Sequence, residues 1–204
     1  MKPYKAYDLN TTGLLPENWA QEIFKVAEEY AYHVHLDGKS STSREPTDTS
    51  GADVYVVDGE VIRNQLFWLD HLYRTKFVQF ANEDFDGGYC VSNSIENGLN
   101  INYLKGLNAR YEWHVDSNPL TGVLFVTTHP EGSGGDLIFR TEAKEYHVYP
   151  KSGILILFDA RAIPHTVMPL KAETYRISIP INFYYSENEQ VRPADLDAYI
   201  YKKH

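Results

Sequence analysis

The stretch RYEWHVDSNP, residues 110 to 119, sets His114 and Asp116 two positions apart behind a tryptophan. On a strand, period two projects both side chains to one face. Two histidines and one carboxylate on one face of a metal, with open positions left over, form the ligand set of non-haem Fe(II). The pair alone decides little. A chain with 8 His and 28 acidic residues carries such pairs by chance, and His35 and Asp37 make a second one. A second histidine from another strand is needed. His129 and His147 are candidates, but His165 is better placed, between the apolar run SGILILF and a second apolar run. Beyond it comes YRISIPINF, where Arg176, Ser178 and Asn182 fall in phase on one face. Arg-x-Ser offers a planar fork and a hydroxyl, which suits a carboxylate. His-x-Asp, a distal His and Arg-x-Ser in order are far more specific than one pair. His35 and Asp37 lack such partners and read as solvated loop.

With these four elements in order, the chain resembles the Fe(II)- and 2-oxoglutarate-dependent oxygenases. INYLKGLNARYEWHVD is similar to the strand-turn-strand of their prolyl 4-hydroxylase-like branch, through Tyr103 and Gly106. GVLFVTTHPEGSGGDLIF is similar to the next hairpin, through Glu131, Gly134, Gly135 and Phe139. The resemblance covers residues 99 to 185. It implies a double-stranded β-helix, or jelly roll. It implies Fe(II) on His114, Asp116 and His165, and 2-oxoglutarate with its C5 carboxylate on Arg176, Ser178 and Tyr103. O2 is the third reactant, and succinate and CO2 are the products that accompany hydroxylation of an unactivated C–H bond. More faintly, VYVVDGEVIRNQLFWLDHLY followed by LNINYLKG resembles stand-alone enzymes that hydroxylate or halogenate free amino acids. The halogenases have a small residue where this chain has Asp116, so hydroxylation is the expected outcome.

The elements that must position these residues follow from periodicity. In PENWAQEIFKVAEEYAY, Trp19, Ile23, Ala27 and Ala31 recur every four residues behind Pro16, which predicts a helix. Ile62, Leu66, Leu69, Tyr73, Phe77 and Phe80 predict a second, longer helix over 60–82. Between them lies a polar loop over 37–52, a length that suits a functional element such as a lid. From residue 99 onward the pattern changes to eight short strands separated by turns such as PKSG and LKAE. The expected fold is mainly β with helices (α+β): a single domain with helical support and loops over 1–98, a jelly-roll core over 99–185 and a C-terminal extension over 186–204. Trp113, facing away from His114, is expected in the core.

Composition narrows the partners. The net charge is −9, with no basic block beyond the terminal YKKH, so nucleic acid is disfavoured. The lone Cys90 rules out an intramolecular disulfide, reads as a buried or inert thiol, and suits a reducing compartment. Neither an apolar leader nor an 18-residue apolar run is visible, so the expectation is a soluble, cytoplasmic protein. The substrate is expected to be a small molecule, a free amino acid or a similar polar metabolite. Asn182, Glu96 and Asn97 (with Ser94 nearby) are the candidates to meet its amine, and Arg140 or Arg161 to meet its carboxylate. A peptide or protein hydroxylase of the prolyl or aspartyl kind is the alternative. A non-catalytic jelly-roll binding module is the other alternative, and the intact ligand set argues against it. Substrate identity and oligomeric state are not legible in the sequence.

Overall fold

A computed structural model describes residues 2–36 and 52–185. The expected lid over 37–52, apart from Ala52, and the extension from 186 onward lie outside the described residues, as does Asp37.

The chain runs β1 (Lys5–Asp8), α1 (Trp19–Tyr30), β2 (Tyr32–Leu36), β3 (Ala52–Val57), α2 (Gly59–Gln65), α3 (Phe67–Leu72) and α4 (Val78–Asp84). It continues through β4 (Cys90–Val91), α5 (Ile95–Gly98), β5 (Ile101–Lys105), β6 (Tyr111–His114), β7 (Leu120–Phe125) and β8 (Leu137–Arg140). It ends with β9 (Glu145–Val148), β10 (Ile154–Phe158), β11 (His165–Val167) and β12 (Tyr175–Tyr184). The eight strands expected from residue 99 onward all form. The larger antiparallel sheet has the order β1-β10-β7-β12-β5-β3-β2, with β4 also pairing with β12; the smaller has the order β6-β11-β8-β9. The two sheets form the jelly roll.

Strict alternation along β12 divides the molecule. Ile177, Ile179, Ile181 and Phe183 are fully buried against the helices, in a core with Trp19, Ile23, Ile62, Leu66 and Phe77. Residues of the opposite parity face the space between the sheets. There Val34, Val54, Val56, Phe125, Phe139 and Phe158 form a second core. Period two lets one strand serve both layers.

Two expectations need correction. Residues 1–98 hold strands as well as helices: β2 and β3 pair with each other, and β3 pairs with β5. Their alternation is short but real, with Val34, Leu36, Val54 and Val56 inward and His33, His35 and Asp53 outward. His35 is therefore a strand residue; its ring meets Asp53 Oδ1 at 2.9 Å on the surface. The long second helix is broken at Leu66, whose backbone leaves the helical region, and Tyr73–Phe77 form a wider π turn. These irregularities re-phase the stripe, so that Ile62, Leu66, Leu69, Tyr73 and Phe77 all stay buried against the sheet. No helix among the described residues is long and apolar enough to cross a membrane.

Candidate metal and co-substrate site

β6 and β11 pair with His114 directly opposite His165. The two rings lie 4.2 Å apart, centroid to centroid. Each ring donates its Nδ1–H to a backbone carbonyl, His114 to Glu112 at 2.7 Å and His165 to Ile163 at 3.1 Å. A carbonyl can only accept, so the free lone pair of each ring is on Nε2. Those lone pairs converge on Asp116 Oδ1, at 3.4 Å from His114 and 3.7 Å from His165. The three ligand atoms all lie within 4.8 Å of one another. Burial and the neighbouring His114 push His165 down to about 4, so its imidazole is neutral near pH 7. Burial works against the Asp116 carboxylate, but the two histidines and the Thr121 hydroxyl outweigh it and hold the group below its ordinary range. Two histidines with their Nε2 atoms turned inward and one carboxylate form a ligand set that suits divalent iron.

The structure adds a support that sequence reasoning missed. Thr121 Oγ1 donates to Asp116 Oδ2 at 2.6 Å and itself accepts from Asn118 Nδ2 at 2.8 Å. Such outer partners aim a ligand and tune its basicity.

On the facing sheet, Arg176 is 2% exposed. Its Nε donates to the Gly135 carbonyl and its Nη1 to Ser178 Oγ, each at 2.8 Å. Among the described residues no carboxylate forms an ion pair with it, and burial pulls the guanidinium down to about 10, with Asp136 opposing. A buried cation without a paired anion fits a site for the carboxylate of a ligand. The Gly134–Gly135 pair that the resemblance highlighted makes this possible. Both have positive φ; a Cβ on Gly134 would lie 2.0 Å from the Pro169 oxygen, and one on Gly135 would press on Leu170 and Arg176.

A cavity of about 130 Å³ joins the two halves, lined by His114, Asp116 and His165 at one side and Arg176 and Ser178 at another. Asn182 also lines it, as expected, though its Nδ2 is tied to the Asn97 carbonyl at 2.6 Å. Tyr103 does not line it. It faces the helices, where its hydroxyl bonds Glu28 and Lys105 lies 4.1 Å from its ring centre, because β5 gives it the parity of Ile101. Glu96 and Asn97 do not line the cavity either; both lie on α5, and their backbone carbonyls receive Asn100 and Asn182. Arg140 pairs with Glu145 and stacks on Trp113, which takes that ring out of the expected core. Arg161 donates to the Ser117 carbonyl from an exposed position. His129 and His147 are committed elsewhere, to the Tyr175 carbonyl and to Asp136.

Residues 99–184 match the model of the 2OG-Fe(II) oxygenase superfamily. The matched stretch runs from β5 to β12 and holds His114, Asp116, His165, Arg176 and Ser178. No curated protein matches it. Its fold is similar to that of a 2OG-Fe(II) oxygenase family oxidoreductase from Burkholderia pseudomallei, at 15% identity and a TM-score of 0.64, over 90% of this chain and 86% of the other. A prolyl hydroxylase from Trichoplax adhaerens, in complex with a peptide fragment of hypoxia inducible factor, gives 15% identity and a TM-score of 0.60 over 93% and 88%. The alpha ketoglutarate dependent epimerase SnoN from nogalamycin biosynthesis gives 12% and 0.62 over 99% and 87%. At such identities the likeness is one of fold. Enzymes of the matched superfamily use Fe(II), 2-oxoglutarate and O2, and the His114-Asp116-His165 cluster fits such an iron.

Proposed function

We propose that this protein is a 2OG-Fe(II) oxygenase that hydroxylates an unactivated C–H bond of a free amino acid or a similar small polar metabolite. His114, Asp116 and His165 hold the iron, and Arg176 with Ser178 holds the C5 carboxylate of 2-oxoglutarate. Bound iron and 2-oxoglutarate supply the oxidising chemistry, with succinate and CO2 released. The protein orients and excludes water: Leu36, Val54 and Val56 are among the apolar side chains that line the cavity.

The observation that carries the substrate class is the character of the lining. Beyond the ligands and Arg176 its polar groups are amides and hydroxyls, including Asn100, Ser117, Asn118 and Asn182, in a cavity of about 130 Å³. Asn182 is only 8% exposed, and with Nδ2 bonded to the Asn97 carbonyl its Oδ1 is the atom that would accept from a substrate N–H. A peptide hydroxylase is the second reading, favoured by the fold shared with a prolyl hydroxylase that binds a peptide.

Succinate release over the twenty amino acids, compared with the N-acetyl and C-amide forms of the best one, tests the proposal. Capping should be severe for a small-molecule enzyme, because buried groups lose their partners. Equal or better turnover of the doubly capped form, or of that residue within a peptide, would favour the peptide hydroxylase instead.

A further inference from the structure

We propose that Asn102 is a third donor to the C5 carboxylate of the co-substrate and sets the preference for a dicarboxylic 2-oxo acid. This rests on the reading of Arg176 and Ser178 as the cradle for that carboxylate.

The placement comes from parity and register. On β5, Ile101 and Tyr103 face the helices, whereas Asn102 and Leu104 line the cavity. Across the β5–β12 pair, Asn102 lies directly opposite Ser178, and Leu104 opposite Arg176. Directly opposed side chains on an antiparallel pair have Cβ atoms about 4.5–5.5 Å apart. On its other flank Asn102 meets Val56, which cannot bond. The polar neighbour of Ser178 on β5 is therefore Asn102. The other register partners of the pair, Leu104 opposite Arg176 and Phe125 opposite Ser178, offer no donor.

The other asparagines of the cavity have their amides tied to protein: Asn100 to the Glu96 carbonyl, Asn118 to Leu120 and Thr121, Asn182 to the Asn97 carbonyl. The half-buried Asn102 carboxamide has no such bond among the described residues. Lining the cavity, this amide is available to a ligand that enters it. What that ligand carries follows from its neighbours. Ser178 Oγ accepts from Arg176 Nη1, so its own proton is free to be donated. Arg176 keeps Nη2 after bonding Gly135 and Ser178. A carboxylate has about four acceptor sites. Guanidinium, hydroxyl and the Asn102 Nδ2 supply donors to them from one side. The donor that the resemblance assigned to Tyr103 is thus supplied by the residue before it, whose side chain points the right way.

The test uses Mn(II)-loaded protein under nitrogen and calorimetric titration with 2-oxoglutarate. It adds 2-oxopentanoate, which keeps the 2-oxo acid end and lacks the C5 carboxylate, read by displacement of bound 2-oxoglutarate. Losing a hydrogen bond to a charged group should weaken 2-oxoglutarate by roughly 10- to 100-fold in Asn102→Leu, and 2-oxopentanoate by less than about twofold. Asn102→Ser, which leaves the cavity polar but is too short to reach, should behave alike; thermal melting checks that both variants fold. Unchanged 2-oxoglutarate affinity, or equal weakening of both acids, overturns the role of Asn102. Arg176→Gln separates the two levels. If it too leaves 2-oxoglutarate unaffected, the cradle reading fails, and the Asn102 proposal with it; if it alone weakens binding, only the Asn102 proposal fails.

Discussion

Replacing Thr121 with valine removes one hydroxyl from the iron site and preserves its shape. Because Asn118 donates to Thr121 Oγ1 at 2.8 Å, the threonine proton must point the other way, to Asp116 Oδ2 at 2.6 Å. That bond is short and charge-assisted, of a kind worth about 1.5–3 kcal/mol. It holds the carboxylate so that Oδ1 faces both Nε2 atoms. Asn118 loses its acceptor at Thr121 but keeps its second bond, to the Leu120 carbonyl, and the Asp116 carboxylate loses its hydroxyl donor. Removing an outer partner of this kind typically lowers metal affinity about 10- to 100-fold, which agrees with that energy. Fe(II) affinity is measured under nitrogen by competition with a chromophoric chelator, with thermal melting of the metal-free protein as the control for folding. Thr121→Ser should recover most of the loss. A well-folded Thr121→Val protein with Fe(II) affinity within about threefold of wild type would refute the reasoning.

Arg176→Gln should weaken 2-oxoglutarate by about 30- to several-thousand-fold in an anaerobic titration while sparing Fe(II), since a buried charge loses its partner. Tyr103→Phe should leave that affinity within about twofold and lower only the melting temperature, through the lost bond to Glu28. His114→Ala and His165→Ala should each abolish succinate formation, whereas His35→Ala, on the exposed face of β2, should not; equal loss in a folded His35→Ala protein would overturn the choice between the two His-x-Asp pairs. His165 titrates near 4 when folded and near its ordinary 6.5 when unfolded, so unfolding takes up a proton between those values. Stability of the chelator-treated protein is then full above about pH 6.5 and falls as the pH is lowered toward 4, by about 3 kcal/mol. Melting curves from pH 7 to 4 should show this slope, and His165→Gln should flatten it.

Where the sequence was read through alternation, the structure agrees with it. In RISIPINF the odd positions are apolar and the even ones are Arg176, Ser178, Pro180 and Asn182, and the two sets lie on opposite faces of β12. For Tyr103 resemblance and parity disagree: NINYLK alternates too, and it pairs Asn102 with Leu104, leaving Tyr103 with Ile101 on the helix side. Glu96 and Asn97 precede that strand in sequence, but they lie on α5 outside the cavity, where their carbonyls are bonded by Asn100 and Asn182 and the Asn97 side chain accepts from Ser92 Oγ. Thr121 and Asn118 carry no motif. Only the register that sets Thr121 opposite Asn182 brings β7 beside the site.

The same register explains why helices precede the jelly roll. The candidate metal ligands come from the smaller sheet, through β6 and β11 and the turn after β6, while Arg176 and Ser178, the proposed carboxylate cradle, come from β12 of the larger one. Nothing in the metal ligands themselves dictates which face of β12 turns toward them. That choice is made on the other side of the strand, where Ile177, Ile179, Ile181 and Phe183 are each at most 1% exposed beneath α1 to α4. A one-residue slip would bury Arg176 among the helices and present isoleucines to the co-substrate. Burying four large apolar side chains stabilises the correct register by several kcal/mol, at about 1.5–3 kcal/mol each. The helical core and the chemistry are thus two faces of one alternating strand, and a polar substitution at Ile179 should weaken 2-oxoglutarate binding without touching the cavity.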